Sequence, residues 1–375
     1  MSSSTTHHRS GITRPALRPA VRPVLTAALT ALLTAGGLTA AHAGTAVTGQ
    51  QAGVDRVSVA ADGTEANGGS SHASLSRNGA FTVFGSAATN LTQEPTPRPP
   101  GGVHVRDNTT GEVTRIRDSL QDPAISDDGR YATFLTWGTH TVKVKLLDLE
   151  TGQGKLISTG SSKAGSNSAQ MSADGRYIAF SQVAEHPSIP DRVEVYDRVT
   201  GTYEVVSGAP GDSTRDMRDP SISADGRYVA YRDAGTGDVW LADREKDTRT
   251  RVDDGGSSEL VQLSGNGHVI AVNTADGAYV RDVRTGTTTR LPGKRADALS
   301  PSGRDVLYQS NDPVAYSELR LRHLPNGHET VVQGNARGVP GAIDDQGRLV
   351  FDSPDAGIVP GDTNGKADIF LWRAL

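Results

Sequence analysis

Residues 221–231 read Ser-Ile-Ser-Ala-Asp-Gly-Arg-Tyr-Val-Ala-Tyr. Ile222 opens a short apolar run, and Asp225-Gly226 is a turn signal. Glycine takes a positive φ without steric cost, and an aspartate side chain can bond its own backbone. Tyr228, Val229, Ala230 and Tyr231 then make a run of strand-forming residues. Strand, Asp-Gly turn, strand is a β-hairpin.

The same unit recurs along the chain. SLSRNGAFTVF turns at Gly79, AISDDGRYATF at Gly129, QMSADGRYIAF at Gly175 and LSGNGHVIAV at Gly267. LSPSGRDVLY turns at Gly303 and AIDDQGRLVF at Gly347, so with Gly226 there are seven copies. Successive turn glycines lie 50, 46, 51, 41, 36 and 44 residues apart. A repeat of about 40–50 residues with several strands per unit is the pattern of a β-propeller.

A second landmark follows most hairpins: Asp-x-x-Thr-Gly, at 107–111, 148–152, 197–201 and 282–286, with altered copies at 243–247 and 323–327. Apolar strands flank it, such as VEVY before Asp197 and VTRI after Gly111. Each unit therefore holds four antiparallel strands, A to D. The first landmark joins A to B and the second joins C to D. The seventh unit stops after ADIFLW (367–372), which is a strand C, while Asp55 to Val59 (DRVSV) resembles the strand D segments. The expectation is an all-β, seven-bladed propeller over residues 54–375, its last blade closed by the N-terminal strand. Closure protects the edges that an open array would expose.

Residues 1–43 have the pattern of a secretion signal. Arg9, Arg14, Arg18 and Arg22 precede an Ala/Leu/Thr-rich run, and Ala41-His42-Ala43 is a small-x-small cleavage site. Residues 44–53 read as a flexible leader. Residues 1–43 hold four arginines and no acidic residue, so the remainder carries 34 basic and 43 acidic side chains, a formal charge of −9. That balance argues against nucleic acid or an anionic membrane as partner. With no cysteine, neither disulfides nor thiolate metal sites stabilise the fold. The expected product is a secreted monomer.

Ser-x-Asp-Gly-Arg followed by an aromatic-aliphatic strand resembles the repeat of TolB-type β-propellers. The resemblance implies the propeller fold, and in relatives it accompanies docking of protein partners in the bacterial envelope. It also implies a scaffold with many roles.

The A–B and C–D turns are short and regular, whereas the B–C and D–A connections vary in length. Those two variable sets emerge on one face, and function tends to sit on such loops. Asp122-Pro123 and Asp219-Pro220 stand at the entry to strand A in blades two and four, beside the channel mouth. Arg215, Asp216 and Arg218 lie next to the second pair. These charges define a candidate ligand pocket; strand-entry turns carrying solvated charges are the simpler account of the same residues. Trp137, at the end of strand B in blade two, is a candidate stacking residue for a sugar or peptide, or a filler between blades. Trp240 and Trp372 sit on strands C and read as core. His323 and His328 flank a C–D turn and read as turn residues rather than metal ligands.

The sharpest local motif is Asp362-Thr363-Asn364-Gly365-Lys366-Ala367-Asp368. Oxygen side chains at its positions 1, 3 and 7 resemble the start of a calcium loop, with Asp362, Asn364 and Asp368 as ligands of a weakly held Ca²⁺. An Asx-type turn explains the same residues. The chain carries no Gly-x-Ser-x-Gly elbow, no P-loop and no His-Glu-x-x-His. The expectation is thus a non-catalytic propeller that binds a protein, peptide or glycan. The alternative is a propeller-only polysaccharide lyase or glycosidase using channel-mouth carboxylates.

Overall fold

The computed structural model describes residues 53–93, 101–120, 123–158, 164–185, 189, 191–207, 216–310 and 316–374. Residues 1–52, which include the expected secretion signal, and Asp122 and Arg215 lie outside them. Among the described residues there is no helix.

Six blades are four-stranded antiparallel sheets, each in chain order from A to D. After β1 (Gly53–Arg56), blade one holds β2 (Ser70–Leu75), β3 (Phe81–Ser86), β4 (Gly102–Asp107) and β5 (Val113–Ile116). Blade two holds β6 (Ala124–Ile125), β7 (Tyr131–Trp137), β8 (Val142–Asp148) and β9 (Gly154–Leu156). Blade three holds β10 (Ala169–Met171), β11 (Tyr177–Gln182), β12 (Arg192–Asp197) and β13 (Tyr203–Val205). Blade four holds β14 (Met217–Ile222), β15 (Tyr228–Asp233), β16 (Asp238–Asp243) and β17 (Thr248–Arg251). Blade five holds β18 (Ser258–Leu263), β19 (Val269–Thr274), β20 (Gly277–Asp282) and β21 (Thr288–Pro292). Blade six holds β22 (Lys294–Leu299), β23 (Asp305–Ser310), β24 (Ser317–His323) and β25 (Glu329–Ala336).

The seventh blade is β26 (Leu349–Ser353) and β27 (Asp368–Arg373), completed by β1. β1 pairs antiparallel with β27 from Gly53↔Arg373 to Arg56↔Phe370, so the N-terminal strand closes the ring as expected, although the strand itself begins two residues earlier than the expected 55–59 and only the backbone bond from Val57 N to Ile369 O continues beyond it. The innermost strand of this blade is reduced to two isolated bridges, Arg337↔Asp352 and Ile343↔Leu349. Pro340 has no N–H to give a ladder, and Gly341 sits at φ +83 between them.

The repeat motif specifies more than a turn. Ser223 Oγ donates to Asp225 Oδ1 at 2.6 Å, and Asp225 Oδ1 accepts from Arg227 N at 3.0 Å. The following arginine then joins the two landmarks of its blade. Arg227 clasps Asp243 at 2.9 and 2.7 Å, Arg176 reaches Asp197 at 2.8 Å and Arg130 reaches Asp148 at 2.9 Å. Arg176 holds the Asp197 carboxyl down to about 2.

The core lies between blades. Leu135, Val144 and Ile157 of blade two pack with Met171, Ile178 and Phe180 of blade three, and similar clusters join successive blades round the ring. A larger cluster with Leu307, Phe351, Phe370 and Phe84 joins blades six, seven and one. Both faces of each sheet are thereby covered, which explains strands that are apolar on both sides. Trp372 is buried and Trp240 packs against the blade three–four cluster, as expected of strand C residues.

Candidate functional site at the channel mouth

Adjacent A–B turns are linked by a belt of hydrogen bonds on the face opposite the variable loops. Asp345 N donates to Arg77 O, Asp127 N to Ala173 O, Ala173 N to Ala224 O, Ala224 N to Gly265 O and Gly265 N to Pro301 O. Arg77 reaches across this floor from blade one and donates to Ile222 O of blade four at 3.4 Å. Asp127, Asp345 and Asp225 surround its charge. The channel therefore narrows to a guanidinium plug at one end and opens at the other.

At the open end a cavity of about 320 Å³ is lined by His72, Pro123, Asn167, Asp219, Glu259 and Gln262, among others. A neighbouring cavity of about 240 Å³ shares His72 and Glu259 and adds Arg295, Asp297, Gln309 and Arg337. All seven blades thus contribute to one mouth. Four of their innermost strands carry a register shift there, between Ser71 and Ser74, Arg218 and Ser221, Leu260 and Gln262, and Ala296 and Ala298. A bulge re-aims side chains, which is how neighbouring residues of β14, β18 and β22 come to face the channel. His72 and Asp219 sit at φ 56 and 53, two of the four non-glycine residues in the left-handed region among those described.

The charges at the mouth are paired. Arg295 holds Glu259 through two bonds of 2.8 and 2.9 Å and keeps its carboxyl below the usual range. Arg232 stands 3.8 Å from Asp219, whose pKa burial raises. Arg337 donates to Asp352 at 3.0 Å, and Tyr316 Oη donates to the same oxygen at 2.8 Å. Burial pushes Asp297 up to about 7, against the pull of Gly338 N, Arg295 and Arg337.

Asp297 has a consequence for stability. In the unfolded chain its carboxyl ionises near its ordinary value of 3.8. Between about pH 4 and 7 the folded state therefore holds a proton that the unfolded chain has released, and the stability due to this group falls as pH rises through that window. Asp297→Asn cannot titrate. Its stability relative to wild type is expected to improve by about 2–4 kcal/mol between pH 4 and pH 8. Urea unfolding of both proteins at the two pH values checks this; parallel pH profiles would show that Asp297 ionises normally.

Of the residues singled out in the sequence, Asp219 lines the mouth, within β14 rather than before it. Asp216 and Arg218 pair with each other on its rim. Asp122 and Arg215 are outside the described residues, although Pro123 lines the same cavity. Trp137 is 69% exposed at the end of β7, so it fills no gap between blades, and it does not line the mouth cavity. His323 donates from its Nδ1 to Asp305 Oδ1 at 2.7 Å across its own hairpin.

In the 362–368 loop, Asn364 Oδ1 accepts from Lys366 N, an Asx-type turn, and its amide donates to Ala66 O at 2.8 Å. The loop's two aspartates instead meet Glu65. His72, Glu259, Arg295, Asp297 and Arg337 were not singled out. A signal for one of them was present: counting seven residues back from Gly79, Gly129 and Gly226 gives His72, Asp122 and Asp219.

Fold and mouth together define a closed seven-bladed β-propeller with a polar pocket in its channel. No family model and no curated protein matches the chain. Among solved structures it is similar to an oligogalacturonate lyase in complex with manganese, at 14% identity and TM-score 0.61, covering 88% of this chain and 94% of that one. It is also similar to the β-propeller domain of the trilobed protease from Pyrococcus furiosus, at 13% identity and TM-score 0.58, covering 82% and 94%. TolB from Acinetobacter baumannii matches at 18% identity and TM-score 0.48, covering 73% and 67%. At these identities the likeness shows the propeller fold and nothing finer.

Proposed function

We propose that the protein is a secreted, non-catalytic propeller that takes a glycan or peptide into the channel mouth, on the face of its B–C and D–A loops. The observation that carries this reading is the placement of His72 and Asp219. Both hold a left-handed backbone conformation that costs on the order of 1–3 kcal/mol, and both line the same cavity. Strain of that kind collects where a fold presents groups to a ligand.

The chemistry of the lining favours a hydroxyl-rich ligand. Glu259 and Arg295 already satisfy each other, so an ionic ligand would have to break a good pair. Hydroxyls can donate to the carboxylates and accept from the guanidiniums without doing so. The exposed indole of Trp137 lies at a B–C connection of the same face and offers a stacking surface.

A second reading, a lyase or glycosidase, rests on a different observation. Carboxyls at one mouth are driven in opposite directions, Glu259 down by Arg295 and Asp297 up to about 7 by burial. Such a split assigns a base and an acid. The solved lyase it resembles in fold makes oligogalacturonate a natural first probe. Wild type and Asp219→Ala are compared for binding to an array of neutral glycans, and oligogalacturonides are incubated with wild type in parallel, with unsaturated product followed as the test of the second reading. The proposal expects saturable binding that Asp219→Ala weakens about 10- to 100-fold, with no turnover. Turnover establishes the second reading, and binding indifferent to Asp219 removes the mouth as the site.

A further inference from the structure

We propose that the ring carries a divalent cation site of the calcium class, built by Asp362 and Asp368 of the last blade and Glu65 of the segment after β1. One carboxylate oxygen from each lies within 4.8 Å of the others. An ion with oxygens at 2.3–2.6 Å spans that spacing.

A cluster of acids alone would say little, but Asp362 adds an independent fact. Its side chain is 2% exposed, and neither carboxylate oxygen has a hydrogen-bond partner. A buried carboxylate without donors is costly unless a cation faces it. Arg56 answers that need only in part. Its Nη1 donates to Glu65 Oε1 at 3.0 Å and to Gly361 O at 3.2 Å. Its Nε and Nη2 stand 3.7 Å from Asp368 and 3.8 Å from Asp362 and make no hydrogen bond. Three carboxylates against one guanidinium leave two negative charges, the complement of one divalent ion.

The arrangement is held in place. Thr363 donates to Glu65 from its N at 3.0 Å and from its Oγ1 at 2.7 Å. Ser58 donates to Asp368 Oδ1 at 2.6 Å, leaving Oδ2 toward Arg56. A cavity of about 510 Å³ lined by Arg56, Glu65 and Gly361 provides the approach from solvent. Waters and loop carbonyls complete the six to eight oxygens that Ca²⁺ takes, whereas Mg²⁺ demands a stricter and tighter octahedron. Because Glu65 follows the closing strand, Asp368 opens its partner β27 and Asp362 stands just before it, the ion ties the closing strand to the last blade.

The full chain, stripped with chelator, is titrated calorimetrically with CaCl₂ and with MgCl₂, and its thermal unfolding is followed in each. The expected result is one calcium site with a dissociation constant of about 10⁻⁴–10⁻³ M. The thermal midpoint is expected to rise about 2 °C at ten-fold excess over that constant. Asp362→Asn and Glu65→Gln, which keep the shape of the side chains, are expected to lose both responses. Absence of calcium heat in wild type overturns the proposal, whether or not a variant folds. A midpoint shift of equal size in wild type and both variants, or an equal response to magnesium, overturns it as well.

Discussion

A ring lacking residues 44–60 is expected to lose most of its stability. β1 covers the edge of β27, and the residues just beyond it are interior: Val57 is 2% exposed and Ser58 fully buried. Losing Val57 removes about 1.5–3 kcal/mol of apolar burial. Ser58 donates to Asp368 and accepts from Ile369 N, so its loss leaves a buried carboxylate short of a donor, at about 1–3 kcal/mol. Arg56 goes too, and an uncompensated buried carboxylate pair costs about 3–5 kcal/mol more. The sum approaches the 5–15 kcal/mol that separates folded from unfolded domains in general. Trp372 pairs with Val54 across this seam and is 4% exposed, so its fluorescence reports the opening. Urea unfolding that matches the full chain would show the N-terminal strand to be dispensable. The milder Ser58→Ala, expected to cost about 1–3 kcal/mol, separates seam loosening from outright misfolding.

Gly226→Ala is the second large effect. The turn glycines of the repeat lie at φ between +65 and +75, but that is only half of what they do. A Cβ at Gly226 would lie 2.2 Å from Tyr177 Cδ2 on the preceding blade. The same holds at Gly129, where Phe81 is 2.2 Å away, and at Gly267, where Tyr228 is 2.3 Å away. At these three positions the A–B turn therefore presses its backbone onto the first aromatic of the neighbouring strand B. Arg244 covers the Tyr177 ring as well, 4.6 Å from its centroid. The ring cannot move aside without opening the inter-blade core. Backbone strain of about 1–2 kcal/mol and overpacking of about 1–3 kcal/mol give an expected loss of about 2–5 kcal/mol. Gly347 is the control: its φ is +75, yet nothing lies within 4 Å of its Cβ position. Gly347→Ala should lose only the strain. Equal losses at the two sites, measured by denaturant unfolding, would refute the inter-blade contact.

Blade number, strand order, turn chemistry and closure by the N-terminal strand were legible in the chain, although that strand is Gly53–Arg56 rather than 55–59. Each rests on residues a few positions apart, or on a repeat whose period can be counted. Ser223, Asp225 and Gly226 form their turn by bonds among themselves, so seven copies of the pattern report seven turns. The thinning of strand A in the last blade was also written locally, in Pro340-Gly341, although the hairpin pattern around Gly347 masked it. Which side chains share a space was not legible. Glu259 and Arg295 are 36 residues apart, and Glu65 and Thr363 are 298 apart. The ring brings each pair together only after every blade has packed on its neighbour. The sequence offered Asp362, Asn364 and Asp368 together because they lie close along the chain. Tertiary structure gives the Asn364 oxygen to the loop's own turn and brings Glu65 up to the two aspartates, since closing the ring lays the segment after β1 against the last blade.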